Sequence, residues 1–174
     1  IARRQRQMCI RDRDQAARQV GNLVCGKAMD DRASVFMLLE VLRLLRGHKL
    51  RHELIAVFSV QEEVGLRGAG VAAHGVQPTI GIGLDVTLAV DTPGTKPDEA
   101  VTRVGSGIGI KVFDSSMIST RWLVDEFADL AERQGIPSQL EVLAQGGTDG
   151  AAIQRSREGV PTVTLSLPTR YIPV

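Results

Sequence analysis

The sequence predicts an α/β fold with a mostly parallel central sheet and helices on both faces. Short apolar runs alternate with longer segments in which apolar residues recur at helical spacing. The run at residues 53–60 is apolar without alternation, which is typical of a strand covered on both faces. Acidic residues follow two of the apolar runs, and ligands of such sheets bind beyond the carboxyl ends of the strands. We therefore expect a ligand site at one edge of the sheet.

The expected helices and strands follow in a regular order. A helix at residues 34–46 is apolar nearly all round, so it should be deeply buried, and Gly47 should end it. A short apolar piece at residues 22–25 precedes that helix. The other expected elements are strands at 53–60, 79–84, 107–113, 139–143 and 161–167, helices at 66–73 and 119–134, and a helix start at 146–149.

Length and charge limit the classes of function. A chain of 174 residues is one domain by prior, and its aromatic content of 3% predicts an aliphatic core. The net charge is +1, but residues 1–20 contain six arginines and two aspartates, so residues 21–174 carry −3. This balance argues against nucleic-acid binding by the folded body. Residues 1–13 are basic without an apolar period, and we expect them to be foreign to the fold or disordered; a basic arm that binds nucleic acid is the alternative.

The cysteine content predicts a reducing compartment. Cys9 and Cys25 form neither a zinc-binding spacing nor a disulfide framework. The sequence has no apolar run of 18 residues and no signal peptide. We therefore expect a cytoplasmic protein with no membrane partner.

Five acidic residues are the strongest indication of chemistry. Asp30 and Asp31 lie in a loop before the first long helix, Glu62 and Glu63 follow an apolar run, and Asp85 closes another. Carboxylates that converge at strand ends require a cation between them or raised pKa values. The pattern therefore indicates a metal-hydrolase site.

The chemistry of such a site suggests roles for these residues. One of Glu62 and Glu63 would bind a metal and the other would hold a metal-bound water as the general base. Asp30 could bridge two cations, and Asp31 could support the loop or orient a ligand. The ordinary alternatives stay open: a solvated helix start at the glutamates, and an N-cap with a local Asp31–Arg32 ion pair.

Other candidates are weaker. The glycine-rich stretch at residues 146–150 contains Thr148 and Asp149 and opens a helix, whose amides could bind a substrate carboxylate or carbonyl. A plain capped helix start explains it equally well. The chain's histidines are expected at the surface or near a helix end; they are His48, His52 and His74.

Five motifs in this order resemble the tetrahedral (TET) aminopeptidases, the glutamyl or deblocking aminopeptidase family of metallopeptidases, sometimes labelled cellulase M. The resemblance spans residues 14–172. The motifs are Gly26-Lys27-Ala28-Met29-Asp30-Asp31, Gln61-Glu62-Glu63-Val64-Gly65, Gly83-Leu84-Asp85, Gly146-Gly147-Thr148-Asp149 and Pro168-Thr169-Arg170-Tyr171-Ile172. It implies a cytosolic two-metal aminopeptidase that trims the N-terminal residues of peptides and assembles into dodecameric shells.

The resemblance also implies residue roles. Asp30 would be the bridging ligand, Glu62 the general base, Glu63 a ligand of one metal and Asp85 a ligand of the other. The metals would be zinc or cobalt, because the family site also uses two histidines. By the same resemblance, Arg170 and the neighbours of these groups would play supporting roles.

The chain also departs from that family. The family's first metal histidine lies before an inserted dimerisation domain, and neither is present here. The second follows Tyr-Ile, where this chain has Pro173. We therefore expect residues 14–174 to be a partial catalytic domain that is inactive alone. Two alternatives stay open: an amidohydrolase or deacylase acting on acylated amino acids, and a non-catalytic fragment that binds metal or partner subunits.

Overall fold

The computed structural model describes residues 17–96 and 99–172. The segment expected to be foreign, residues 1–13, lies outside the described residues, as do Pro173 and Val174. The elements in chain order are β1 Ala17–Val20, β2 Leu23–Gly26, α1 Met29–Leu45, α2 Arg67–Val76, β3 Gly81–Leu88, β4 Ile108–Phe113, α3 Arg121–Gln134, β5 Ser138–Val142, α4 Asp149–Gln154 and β6 Thr162–Thr169. In the described part of the chain, no helix is long and apolar enough to cross a membrane.

The main sheet has four strands in the order β3-β6-β4-β5. Strands β3 and β6 are parallel, as are β4 and β5, and the contact between β4 and β6 is antiparallel. Helices lie on both sides of the sheet, so the predicted α/β class is confirmed. A separate two-stranded hairpin, β1 with β2, precedes α1.

The two faces of the main sheet differ in chemistry. On one face, α3 packs Leu123 and Val124 against Ile110 and Val163 to form the apolar core. Because strand side chains alternate, the residues next to these in β4 and β6 face the other side. That second face is polar and buried, with Lys111, Thr164 and Ser166 all at most 1% exposed. The core is therefore aliphatic on one side of the sheet only.

A buried ion pair occupies the polar face. Lys111 Nζ contacts Glu141 Oε1, and both side chains are fully buried. The hydroxyl of Thr87 donates to the same Glu141 oxygen at 2.7 Å. Burying a charge without a partner costs several kcal/mol, so these strands require one another's side chains. Together with Thr87, the ion pair connects β3, β4 and β5 across the sheet.

The prediction of a strand at residues 53–60 is wrong. This segment has no strand assignment, and most of its apolar side chains are exposed, including Val60 at 67%. A strand needs a neighbouring backbone to form hydrogen bonds with, and the described residues supply none here. An apolar run predicts that a segment can be buried, but it does not show which neighbouring strand would pair with it.

The prediction that the first long helix is deeply buried is also wrong. Within α1 only Ala33 and Ser34 are buried, whereas Phe36 is 64% and Leu44 is 62% exposed. Its inner side packs against β3. The described residues leave most of its outer side uncovered. The helix itself ends at Leu45, close to the predicted boundary.

Gly107 and Gly105 provide a matched test of local backbone requirements. Both have positive φ, +91° at Gly107 and +85° at Gly105. A Cβ at Gly107 would lie 1.9 Å from Pro137 O, whereas one at Gly105 would meet open space. We expect Gly105→Ala to lower the free energy of unfolding by about 1 kcal/mol through strain alone. Gly107→Ala should lower it by about 3 kcal/mol or more, because β4 would have to move away from residue 137. Urea denaturation of both variants measures the difference, and equal losses would contradict this packing.

Candidate metal centre

Three aspartates converge beside β3. One carboxylate oxygen from each of Asp30, Asp31 and Asp85 lies within 4.8 Å of the other two, and all three residues are half-buried. They come from two elements that are far apart in sequence, the start of α1 and the strand β3. The structure therefore brings Asp85 together with the first acidic pair, whereas Glu62 and Glu63 do not belong to this group of three carboxylates.

The start of α1 explains how Asp30 and Asp31 reach this position. Ala28 has a left-handed conformation, and neither aspartate has helical dihedral angles, so the regular helix begins only after Asp31. The Oδ1 atom of Asp31 accepts a hydrogen bond from Ser34 N at 3.2 Å, as an N-cap does. Asp31 therefore caps the helix and belongs to the acidic cluster at once. Arg32 is exposed, and within the described residues it forms no ion pair with Asp31.

Asp85 lies inside β3 rather than at its end. The strand continues to Leu88 because β6 runs parallel beside it as far as Thr169. The predicted end of this strand at residue 84 was therefore wrong, since the polar Asp85 and Thr87 do not interrupt the backbone ladder. The Oδ1 atom of Asp85 accepts a hydrogen bond from Val86 N at 2.7 Å.

Glu62 and Glu63 lie in a turn just before α2. Gln61 has a positive φ of 59°, and Glu62 O accepts from Gly65 N at 3.1 Å and from Leu66 N at 2.9 Å. Glu62 is half-buried and Glu63 is exposed. Their charges add to the effect of burial on the cluster. Burial and then Glu63 raise the pKa of Asp30, and Glu62 adds to the raised pKa of Asp85.

The electrostatics of the cluster disfavour simultaneous ionisation. Burial first, and then the charges of Asp31, Glu62 and Asp30, raise the pKa of Asp85 to about 8. Burial and the neighbouring carboxylates, with Asp149 the strongest of them, raise the pKa of Glu62 to about 7. Burial also raises the pKa of Asp31 to about 6. Within residues 17–96 and 99–172, no lysine or arginine forms an ion pair with any of these groups.

These residues fit a divalent cation. Several carboxylates share a small volume without a neutralising side chain, and an ion between them would remove the repulsion that raises their pKa values. All the donors are oxygens, and His48, His52 and His74 are exposed and do not belong to the cluster. Carboxylate oxygens alone suit a hard cation better than zinc, which favours imidazole.

Thr148 and Asp149 have different environments, although they are adjacent. Thr148 is buried, and its hydroxyl lies 3.0 Å from Thr164 Oγ1, so it packs inside the polar face. Asp149 begins α4 and accepts a hydrogen bond from Ser59. Its charge also raises the pKa values of Asp31 and Glu62. Sequence reasoning missed Ser59, although it is the one hydroxyl-bearing residue within the apolar run at 53–60.

Arg170 forms a bidentate ion pair with Asp91. Arg170 Nε lies 2.7 Å from Asp91 Oδ1, and Arg170 Nη2 lies 3.1 Å from Asp91 Oδ2. Hydrogen bonding to Arg170 lowers the pKa of Asp91. The pair connects the segment after β3 to the segment after β6, at the edge where both strands end. Sequence reasoning selected Arg170 but not its partner.

Comparison with known proteins identifies the family. A sequence model of the M42 glutamyl aminopeptidase family matches residues 7–173. The chain belongs to the M42 family. The resemblance drawn from the sequence motifs is therefore confirmed. Peptidases of the M42 family are generally metal-dependent.

Relatives within the M42 family carry aminopeptidase names. The chain is 38% identical over 145 residues to the lysyl aminopeptidase of Pyrococcus furiosus. The matched segment covers 83% of the chain and 40% of that protein. The solved aminopeptidase of the archaeon Desulfurococcus kamchatkensis superposes with a TM-score of 0.85 at 37% identity, covering 91% of the chain and 45% of that structure. The chain thus spans less than half the length of these M42 relatives.

A third M42 relative concerns assembly. The TET1 peptidase of Pyrococcus horikoshii is described as able to form a tetrahedron or a large octahedral shell. It superposes with a TM-score of 0.73 at 35% identity, covering 86% of the chain and 42% of that structure.

Proposed function

We propose that the full-length protein is a two-metal aminopeptidase that removes N-terminal residues from peptides. The observation that carries the proposal is the convergence of Asp30, Asp31 and Asp85 beside the turn of Glu62, in a chain that belongs to the M42 family. The names of the relatives support aminopeptidase chemistry over other reactions of two-metal sites.

The acidic residues divide into ligands and supporting groups. Asp30 would bridge two cations, Asp85 would bind one of them, and Glu63 would bind the other. In the full-length protein, the two histidines that the family resemblance implies would add imidazole ligands and favour zinc or cobalt. Two such ions, when bound, would polarise the scissile carbonyl and lower the pKa of a bound water. Asp31 would orient the loop, since one of its oxygens already caps α1.

Glu62 would act as the general base and acid. Its half-buried position in the turn beside the cluster, outside the group of three aspartates, suits a carboxylate that contacts a metal-bound water rather than the metals themselves. Its carboxylate would take a proton from the attacking water and return it to the nitrogen of the departing peptide. Closure of this cycle leaves Glu62 ionised again, ready for the next substrate.

The remaining features follow from the proposed class. A solved TET1 structure is described as a dodecamer, and we infer a dodecamer for the full-length protein. We infer a cytoplasmic location from the low cysteine content and the free, exposed Cys25. The substrates would be free peptides, and nucleic acid and membrane would not be partners.

The alternative deacylase activity is not favoured, because the named relatives are aminopeptidases. The two activities differ in the substrate end that they require. An aminopeptidase needs a free α-amine, whereas a deacylase acts on an N-acylated amino acid.

Activity of the full-length protein tests the proposal. With zinc or cobalt it should hydrolyse aminoacyl-p-nitroanilides but not their N-acetyl forms, and EDTA should stop the reaction. The 174-residue chain alone should show little turnover and weak zinc binding by calorimetry, because its carboxylate cluster lacks imidazole ligands. Hydrolysis of only the acetylated substrates would replace the proposal with the deacylase. Tight stoichiometric zinc binding by the isolated chain would contradict the predicted incompleteness of its site.

A further inference from the structure

The turn that carries Glu62 is not held by a sheet. Residues 53–60, which lead into it, pair with no strand of the described chain. The turn is bound to the start of α2, because Val60 O accepts a hydrogen bond from Gly68 N at 2.9 Å and Gln61 O accepts one from Arg67 N at 3.2 Å. The turn and the start of α2 therefore form one unit. Because α2 packs directly against α4, helix packing holds the far side of this unit, whereas the segment that enters the turn at Ser59 depends on a side-chain contact.

One side-chain hydrogen bond supplies such a contact. Ser59, three residues before Glu62, donates its hydroxyl to Oδ2 of Asp149, 90 positions along the chain. The next residue, Gly150, has its backbone nitrogen 3.3 Å from the place that a Cβ on Gly83 would occupy. Gly83 precedes Asp85 by two residues and lies on the same face of β3. The Ser59–Asp149 bond therefore connects the turn of Glu62 to the strand of Asp85.

Helix capping does not account for Asp149. The residue at the cap of α4 is Thr148, and it makes no side-chain cap bond. The Oδ1 atom of Asp149 is buried and has no partner in the described residues. A carboxylate that is half satisfied, and that faces the charges of Asp31 and Glu62, costs stability. Local violations of this kind concentrate at functional sites.

We propose that Ser59 and Asp149 are positioning residues for the M42 reaction. Together they hold the turn at residues 60–68 against α4, so that Glu62 and Glu63 face the carboxylates of Asp30 and Asp85. This inference rests on the proposed function. Neither residue touches the reacting atoms, so loss of their hydrogen bond should reduce the rate of the chemical step more than substrate affinity.

A double-mutant cycle in the full-length protein tests the pair. Ser59→Ala and Asp149→Ala should each lower kcat about 10-fold with little change in KM, and the double variant should lose no more than either single one. Ser59→Thr restores the hydroxyl and should recover most of the rate. Asp125→Ala is the matched control, because it removes an exposed carboxylate whose side-chain hydrogen bonds within the described residues all come from Arg121 on α3.

Hydrogen exchange provides a readout that does not depend on activity. In the metal-free protein, Ser59→Ala should speed exchange in residues 60–68 and leave β6 unchanged. Multiplicative losses in the cycle, or wild-type exchange and kcat in Ser59→Ala, would overturn the positioning role. Glu62→Gln and Glu63→Gln in the same series distinguish failure of the positioning role from failure of the proposed function. If both variants stay fully active, the proposed function fails, whereas an inactive Glu62→Gln with a fully active Ser59→Ala refutes the positioning pair alone.

Discussion

Glu62→Gln in the full-length protein should lower kcat by about 10²–10⁴-fold while metal content stays at the wild-type level. The amide keeps the size of the side chain but cannot accept a proton from water. Glu62 acts on the reacting water rather than as a metal ligand in this account, so its loss should not release a cation. Glu126→Gln is the matched control and should leave kcat unchanged, because Glu126 is an exposed carboxylate on α3 that forms an ion pair with Arg133 and no other within the described residues.

Glu63→Gln should give the complementary result. We expect loss of metal from one of the two sites, measured by elemental analysis, because this residue would bind a cation directly. A metal-depleted Glu62→Gln beside a metal-replete Glu63→Gln would exchange the two roles. Full activity in both variants would remove the hydrolase assignment.

The second large effect concerns stability and pH. The pKa values of Asp31, Glu62 and Asp85 are raised to about 6, 7 and 8, whereas unfolded carboxyl groups titrate near pH 4. Between about pH 4 and pH 8 the folded chain therefore binds more protons than the unfolded chain, so its free energy of unfolding falls as the pH rises. These groups share protons and are partly solvated, and we expect a fall of about 3 kcal/mol rather than the sum of separate shifts.

Urea denaturation of the metal-free chain in EDTA from pH 5 to pH 8 measures this fall. Asp85→Asn should flatten the dependence, because it removes the carboxylate with the largest shift. A saturating divalent cation should restore stability at pH 8, since it neutralises the repulsion. Asp91 should not contribute, because its pKa is lowered and its stabilising effect is lost only below about pH 4. Stability that rises with pH in the metal-free chain would contradict the charge arrangement.

The sequence predicted most elements of the main sheet. The strands at 107–113, 139–143 and 161–167 lie within about two residues of β4, β5 and β6, and the helix at 119–134 matches α3. Local apolar pattern specified these elements because each packs against others in the described chain. The same pattern failed for residues 53–60, where pairing depends on a neighbouring backbone that composition does not encode.

The site was only partly accessible from the sequence. The expectation that acidic residues at strand ends converge predicted that Asp30 and Asp85 would meet. They do meet, although Asp85 lies within β3 rather than at its end. Asp31 was given a supporting role, but its oxygen also lies in the cluster. Ser59 and Asp91 could not be found, because their partners, Asp149 and Arg170, are 90 and 79 positions away. Such side-chain pairs depend on tertiary packing.

Anomalous diffraction from crystals of the full-length protein grown with zinc shows directly whether this cluster is the metal centre. We expect two peaks about 3.5–4 Å apart, one contacted by Asp85 and both contacted by Asp30, with Glu62 bound to neither. Crystals of Asp30→Asn should lose at least one peak. Full zinc occupancy at a place that none of Asp30, Glu63 and Asp85 contacts would contradict the assignment of this cluster as the metal centre.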